Sequence, residues 1–315
     1  MEFSIRPATK ADYPQIVAIG RSATADYVQS VADLEMGDQT RPSDVVARKL
    51  VAESASKQLV GVATYAQSAP ADDPQRFNVW FFIPPHVQGN GIGKRLYAQV
   101  MAELAPYQPH CLETGVRSDL PRAVRFLEER GFVTMSSECE THLDLTTFNP
   151  DYFQADQQRV EREGIMLRTL AELHDDPARD EKLYAMHLRR HVEGMETEML
   201  PPFAEWIERF YQVPRLLLDG FCVAIDGEAY IGQSNALASG VSAELEYGYT
   251  GVLPAYRNRG IARAMKLCVL RWAKAHGYSL ARSFSDSRNQ AMIRVNLHFG
   301  FVVQPPVFWM NKTMP

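Results

Sequence analysis

Two short glycine loops stand out as places where this chain could do chemistry. The first reads Gln88-Gly89-Asn90-Gly91-Ile92-Gly93 and runs on to Lys94; the second reads Arg257-Asn258-Arg259-Gly260-Ile261-Ala262 and runs on to Arg263. An apolar stretch ending in proline precedes each, Phe81-Phe82-Ile83-Pro84-Pro85 and Gly251-Val252-Leu253-Pro254. A Gly-Phe pair closes each, Gly131-Phe132 and Gly300-Phe301. Gln88 to Gly131 and Arg257 to Gly300 both span 43 positions, and an offset of 169 relates the copies. A strand opening through glycines into a helix aims several free backbone amides at one spot, and the helix N-terminus adds about half a positive charge there. Glycine keeps Cβ atoms clear of a close-lying group and accepts φ > 0. The chemistry this suits is binding of a phosphate or pyrophosphate. A ligand-free turn would explain one such loop; two copies with matching flanks argue against it. Neither is a Walker A loop, since no Gly-Lys-Ser/Thr follows, and neither has the Gly-x-Gly-x-x-Gly dinucleotide pattern.

The repeat makes the chain two copies of one domain, and 315 residues suffice for two cores of ordinary size. Around the loops the pattern alternates strand and helix. Phe3–Ala8 reads as a strand, and Thr9 or Asp12 caps a helix with Ile16, Val17 and Ile19 on one face. Leu59–Tyr65, Asn78–Ile83 and Cys111–Val116 read as strands, Gly91–Leu104 and Pro121–Arg130 as helices, and Phe132–Leu145 as closing strands. The polar stretch from Asn149 to Gly164 reads as a linker. The order then restarts and ends in a strand near Val307–Met310. The expected class is α/β (α+β), two tandem mixed sheets flanked by helices, with domains at 1–148 and 164–315 joined by a linker at 149–163.

Composition narrows the partners. Hydrophobic residues at 46% and charged residues at 23% are globular averages. No apolar run is long enough for a membrane span, and Met1-Glu2-Phe3-Ser4-Ile5-Arg6-Pro7 lacks the layout of a secretory signal. Cys111, Cys139, Cys222 and Cys268 lie far apart, which reads as reduced thiols in a cytoplasmic protein. A net charge of −5 argues against nucleic acid as the main partner. The oligomeric state is open, a monomer included.

The loop, the leading Val/Ile-x-Pro and the distal Gly-Phe resemble the acetyl-CoA-binding motifs of the GNAT superfamily of acyl-CoA N-acyltransferases. The resemblance covers both halves and is strongest over Glu244–Phe301. It implies a twisted mixed sheet that splays open beside the strand before the loop, with the pantetheine arm of acetyl-CoA in the gap. Loop residues Arg257 to Arg263 in one half, and Gln88 to Lys94 after Ile83 in the other, would hold the pyrophosphate. The acetyl carbonyl would meet a backbone amide near Val252 or Leu253, and a small-molecule amine would attack the thioester directly. Many members carry a glutamate eleven positions before the loop's first Arg/Gln as general base; that position is Glu246 in the second half and Phe77 in the first. An asparagine at the head of the helix before Gly-Phe is matched by Asn289, against Leu120 in the first half. The tyrosine four residues before that glycine, which would protonate the departing thiolate, is replaced by Asn296 and Leu127. The resemblance thus makes the second half the catalyst and leaves the first only its binding loop.

A base is needed because an amine of pKa ~10 is about 99.9% protonated at pH 7. Glu244 and Glu246 share one side of an alternating strand, so either could take the proton, as could water or the substrate. As alternatives, the pair is a solvated edge or attracts a cationic substrate. His187 and His191 share a helical face, but with no third ligand they read as surface histidines and no metal is expected. Arg257, Arg259, Arg263 and Lys266 form a basic cluster best assigned to CoA phosphates. Tyr247, Tyr249, Phe308 and Trp309 read as core, or in part as lining of the acceptor pocket. The function expected is acetyl transfer from acetyl-CoA to an amine by the second half, the alternative being a non-catalytic CoA-binding sensor or scaffold.

Overall fold

A computed structural model describes residues 1–314 apart from 25, 26, 28, 70–72, 193–199, 214 and 240–242. The chain divides into two units, Met1–Cys139 with Pro305–Pro315, and Glu140–Gln304.

In order along the N-terminal unit come β1 (Phe3–Pro7), α1 (Tyr13–Ala23), α2 (Val31–Thr40), β2 (Ala47–Ser54), β3 (Leu59–Ala69), β4 (Asp73–Phe82), α3 (Ile92–Leu104), β5 (Cys111–Arg117), α4 (Pro121–Glu128) and the first part of β6 (Val133–Asp144). β1 to β4 run antiparallel in sequence order, and β4 pairs with β5 in parallel only over Arg76↔Cys111 to Asn78↔Glu113. The helix pattern is direct: Ile92, Leu96, Val100 and Leu104 recur every fourth residue and bury one face of α3 against Phe77 and Val79. On the other face, α1 sets Ile16, Val17 and Ile19 against Val51 and Val62.

The C-terminal unit takes the rest of β6, then α5 (Gln154–Arg162), β7 (Ile165–Thr169), α6 (Arg179–Val192), α7 (Phe203–Tyr211), β8 (Leu216–Asp226), β9 (Ala229–Ala238), β10 (Glu244–Val252), α8 (Ile261–Ala275), β11 (Leu280–Asp286), α9 (Gln290–His298) and β12 (Val302–Val303). β7 to β10 are antiparallel neighbours, and β10 and β11 are parallel. The 140–144 stretch of β6 lies beside β11, with β12 paired to it through Val302↔His142 and Val303↔Thr141. α8 packs on β8, β9 and α5 and is buried almost all round, from Ile261 to Ala273. Among the described residues no helix is long and apolar enough to cross a membrane.

The boundaries expected at 1–148, 149–163 and 164–315 differ from those of the structure in three ways, the first being that the N-terminal unit gives over to the other after Cys139. The expected linker is a 3-10 turn at Pro150–Phe153 followed by α5. Its composition misleads because Val160 is the one residue α5 fully buries, and apart from Ala155 every other residue of the helix is polar. The last strand, β13 (Val307–Thr313), belongs to the N-terminal unit, where it lies between β5 and the 133–138 stretch of β6 and is antiparallel to both. Strand pairing is set by which edges are free, and chain order alone does not reveal it.

A fragment of residues 1–148 therefore lacks a central strand and the buried Met310. We expect it to show no cooperative thermal unfolding by circular dichroism. Because Glu138 pairs with Val307, a short turn joining residue 139 to residue 305 makes the strand continuous, and that single-unit chain is expected to fold cooperatively. A cooperative 1–148 fragment would show the strand to be dispensable.

Candidate active site

The two loops share one backbone conformation. Gly89 and Gly91 take φ of +84° and +76°, and Asn258 and Gly260 take +63° and +86°. Asparagine is among the few side chains that enter this region readily, which explains why position 258 departs from glycine. Gly91 and Gly260 are the N-caps of α3 and α8, and neither helix start has a side-chain cap. A Cβ at Gly91 would meet nothing within 4 Å, and one at Gly260 nothing nearer than 3.9 Å. Space is open above both, and the glycines answer to φ. The first loop residue turns back identically in each copy: Gln88 Nε2 donates to the Ile83 carbonyl (3.0 Å) and Arg257 Nε to that of Val252 (3.4 Å). The other arginines of the second loop are held by α5 and the residue that ends it, Arg263 by Asp156 at 3.4 Å and Arg259 by Glu163 at 2.8 Å. The segment expected to be a linker thus positions the loop's cations.

Ahead of the second loop, β10 and β11 pair from Glu244↔Leu280 to Tyr247↔Ser283 and no further. Beyond that point the strands part. On its other edge β10 carries one extra residue relative to β9 between Tyr247 and Thr250, a β-bulge. Two residues build it. The N–H of Tyr249 is taken by Asn235 Oδ1 at 2.9 Å, and a Cβ on Gly248 would lie 2.5 Å from Asn235 Nδ2. Glycine within a strand often marks such a feature; Gly248 was the signal in the sequence, and Asn235 gave none. The Leu253 N–H, one of two amides expected to meet an acetyl carbonyl, is spent on the Ile231 carbonyl at 2.9 Å. Antiparallel pairing alternates, so the Val252 N–H turns the other way, into the opening.

The bulge also corrects a correspondence. Counting 169 residues sets Phe77 against Glu246, but β4 pairs with β3 without a bulge over Val62↔Phe82 to Gln67↔Phe77. The parallel registers show the match: Asn78↔Glu113 stands where Glu246↔Arg282 stands. Asn78 is the counterpart of Glu246, and the buried Phe77 corresponds to the buried Leu245. The N-terminal unit still has no carboxylate there. Its Arg76–Glu113 pair (3.5 Å) repeats the Glu244–Arg282 pair (2.9 Å) with the charges exchanged.

That second pair separates the two glutamates. Glu244 is bound through Oε2 by Arg282, whose other arm reaches the fully buried Glu140 at 3.3 Å. Glu246, half-buried on the same face, makes no hydrogen bond or ion pair with any described residue. Tyr249 shares that face and is exposed, whereas Tyr247 points into the core. Asn289 caps α9, its Oδ1 accepting from the Met292 N–H at 3.1 Å.

Lys266 does not join the loop's basic cluster. It is 1% exposed, with Nζ 3.7 Å above the Tyr247 ring and 3.4 Å from Ser283 Oγ. Burial brings its pKa down to about 7. Asn296 is buried beside it and gives its Nδ2 to Ser283 Oγ (3.2 Å) and Thr141 Oγ1 (3.0 Å). The His187 ring packs on Trp206 at 5.1 Å, the His191 side chain lies outside the described residues, and no cluster that could hold a metal is present among those described.

Residues 40–146 and 165–302 each match a family model described as an acetyltransferase (GNAT) domain. No curated protein matches the sequence. Among solved structures, a GCN5-related N-acetyltransferase from Sphaerobacter thermophilus is 17% identical, with 99% of this chain and 95% of that one covered and a TM-score of 0.71. A tandem GNAT protein from the clavulanic acid biosynthesis pathway is 16% identical over 100% and 99% of the two chains, with a TM-score of 0.69. With one such domain in each half, the chain belongs to the GNAT acetyltransferase family as a tandem member.

Proposed function

We propose that the C-terminal unit moves an acetyl group from acetyl-CoA to the primary amine of a small molecule, and that the N-terminal unit binds CoA or nothing and does no chemistry. The observation that carries this is the difference between two similar openings. In one, Glu246 stands one residue before the strand pairing ends, with its carboxylate uncommitted; in the other, Asn78 takes its place.

The pyrophosphate suits the helix start at Ile261–Arg263, whose amides follow a glycine with open space above it. The pantetheine arm would run back along β10 toward the point where the strands rejoin. On the way it passes the Val252 N–H. The same alternation turns the Thr250 N–H, nearer the rejoining point, into the opening, where it would receive the carbonyl oxygen as charge develops on it, an effect commonly worth about 3 kcal/mol per donor. Glu246 would take the ammonium proton, directly or through water, before or during attack. Glu244 serves this role less well, because Arg282 holds the oxygen that would accept the proton. In the N-terminal unit Trp80 and Phe82 stack on the face that Tyr249 and Gly251 occupy in the other, which leaves less room for an acceptor.

Gly260→Val, made in a Gly91→Val background, forces a β-branched side chain into φ near +86° at the phosphate site. Calorimetry is expected to give CoA affinity at least tenfold weaker, about 1.4 kcal/mol; unchanged affinity would refute the loop assignment. Glu246→Gln should leave CoA affinity intact and lower kcat by roughly 10²–10⁴-fold near pH 7, the deficit shrinking at high pH as more amine is neutral. A pH–rate profile overlaying that of the wild type would remove Glu246 from the mechanism.

A further inference from the structure

A lysine wholly inside a protein core calls for an explanation, because burying an ammonium without a counter-charge is costly. Lys266 is such a residue. The titratable group in contact with it is the Tyr247 phenol on β10, whose O–H is given to the Lys266 carbonyl (3.0 Å). Beyond that ring lie the thiols of Cys222 on β8 and Cys268 on α8. β11 and α9 contribute Ser283 and Asn296, β6 contributes Thr141, and none of these titrates. Burial alone lowers the lysine's pKa, and no carboxylate offsets it.

The position is as telling as the burial. Ser283 is the last residue of β11 paired with β10, opposite Tyr247, so Lys266 Nζ sits at the closed end of the opening. It sits on the face opposite Glu246, since side chains alternate along β10. Ser283 Oγ receives the Asn296 amide and the Lys266 ammonium, which fills both lone pairs and leaves its O–H to be given away. Two further buried atoms, Asn296 Oδ1 and Ser285 Oγ, have no hydrogen-bond partner among the described residues, and each such group calls for an explanation.

Resting on the acetyl-CoA reading above, we propose that the Ser283 hydroxyl donates to the departing CoA sulfur and that the buried Lys266 ammonium behind it supplies the proton. The amine nitrogen bonds to the carbonyl carbon, and the C–S bond breaks with its electron pair on sulfur. Ser283 passes its hydroxyl proton to that sulfur and takes one from Lys266. The ammonium proton passes through Glu246 to solvent before attack, and the second proton that the nitrogen must lose to become an amide leaves on Glu246 as the adduct collapses. After product release Lys266 regains a proton from solvent and Glu246 loses one, so the cycle closes. Ser283 is then the catalytic residue and Lys266 a positioning residue acting through it. Entry of the amine and exit of the thiolate fall on opposite faces of the sheet.

The test follows the thiol of bound CoA by its ultraviolet thiolate absorbance across pH, in the full-length wild type, Lys266→Met and Ser283→Ala. Lys266 is already neutral where the thiol ionises, so the Ser283 O–H carries this shift: the bound thiol is expected to ionise about 1 pH unit below free CoA, a tenfold shift, in the wild type and in Lys266→Met, and at the free value in Ser283→Ala. The wild-type kcat should also fall as pH rises through Lys266's titration near pH 7, and that fall should vanish in Lys266→Met. The variant's fold is checked independently. A lysine depressed from 10.5 to about 7 favours folding fully above pH 10.5 and loses that advantage as pH falls to 7. Lys266→Met should therefore raise Tm most below pH 7 and least near pH 10.5. CoA binding with the same thiol titration in all three proteins would overturn this proposal and leave the acetyltransferase reading standing. Failure of the wild type to bind CoA would overturn both.

Discussion

Backbone N–H and C=O groups inside a sheet need partners, and parallel strands that stop pairing part-way leave a row of them unmet. In the C-terminal unit that row begins after Tyr247 and Ser283. What keeps β10 in place is its other edge, where Asn235 supplies the side-chain acceptor that β9's backbone cannot reach across the bulge. The bulge lets the strand turn an amide toward the opening while still ending at the helix start that receives a phosphate. Removing the Asn235–Gly248 arrangement would restore the ladder and rotate the alternation of β10 by one residue, which moves every side chain before it to the other face.

The sheet then acts as a partition between two electrostatic settings. One face carries Glu244, Arg282, Glu140 and His142, a network in which the arginine balances two carboxylates and His142 meets Glu140 at 2.6 Å. The other carries Lys266, Ser283 and Asn296, a small polar cluster enclosed by Tyr247 and Phe301. The first holds an arginine between two carboxylates, whereas the charge in the second is met only by a ring face and a hydroxyl. Low dielectric makes that second arrangement responsive to any anion placed beside it.

The parts of this molecule that depend on local sequence were legible in advance. Glycine loops, proline-led strands and the terminal Gly-Phe pairs follow short-range rules, and the halves obey them at a constant spacing. Three features escaped because they depend on what lies across space. Val160 makes a helix of a segment whose composition is almost wholly polar. One inserted residue in β10 makes Asn78, and not Phe77, the partner position of Glu246. Lys266 follows three arginines in sequence, yet its place on α8 turns it into the core while Arg259 and Arg263 face outward to α5.

The placement of β13 bears on how the protein is made. Chains usually fold domain by domain as they leave the ribosome, the N-terminal one first. Here the N-terminal sheet must wait for Val307–Thr313, made after the whole of the C-terminal unit, while β5 and β6 stand apart with open edges. The C-terminal unit, whose segments all precede residue 305, can close before the half that was translated ahead of it. The later-made unit can thus close first, and until residue 313 emerges the older half presents unpaired strand edges.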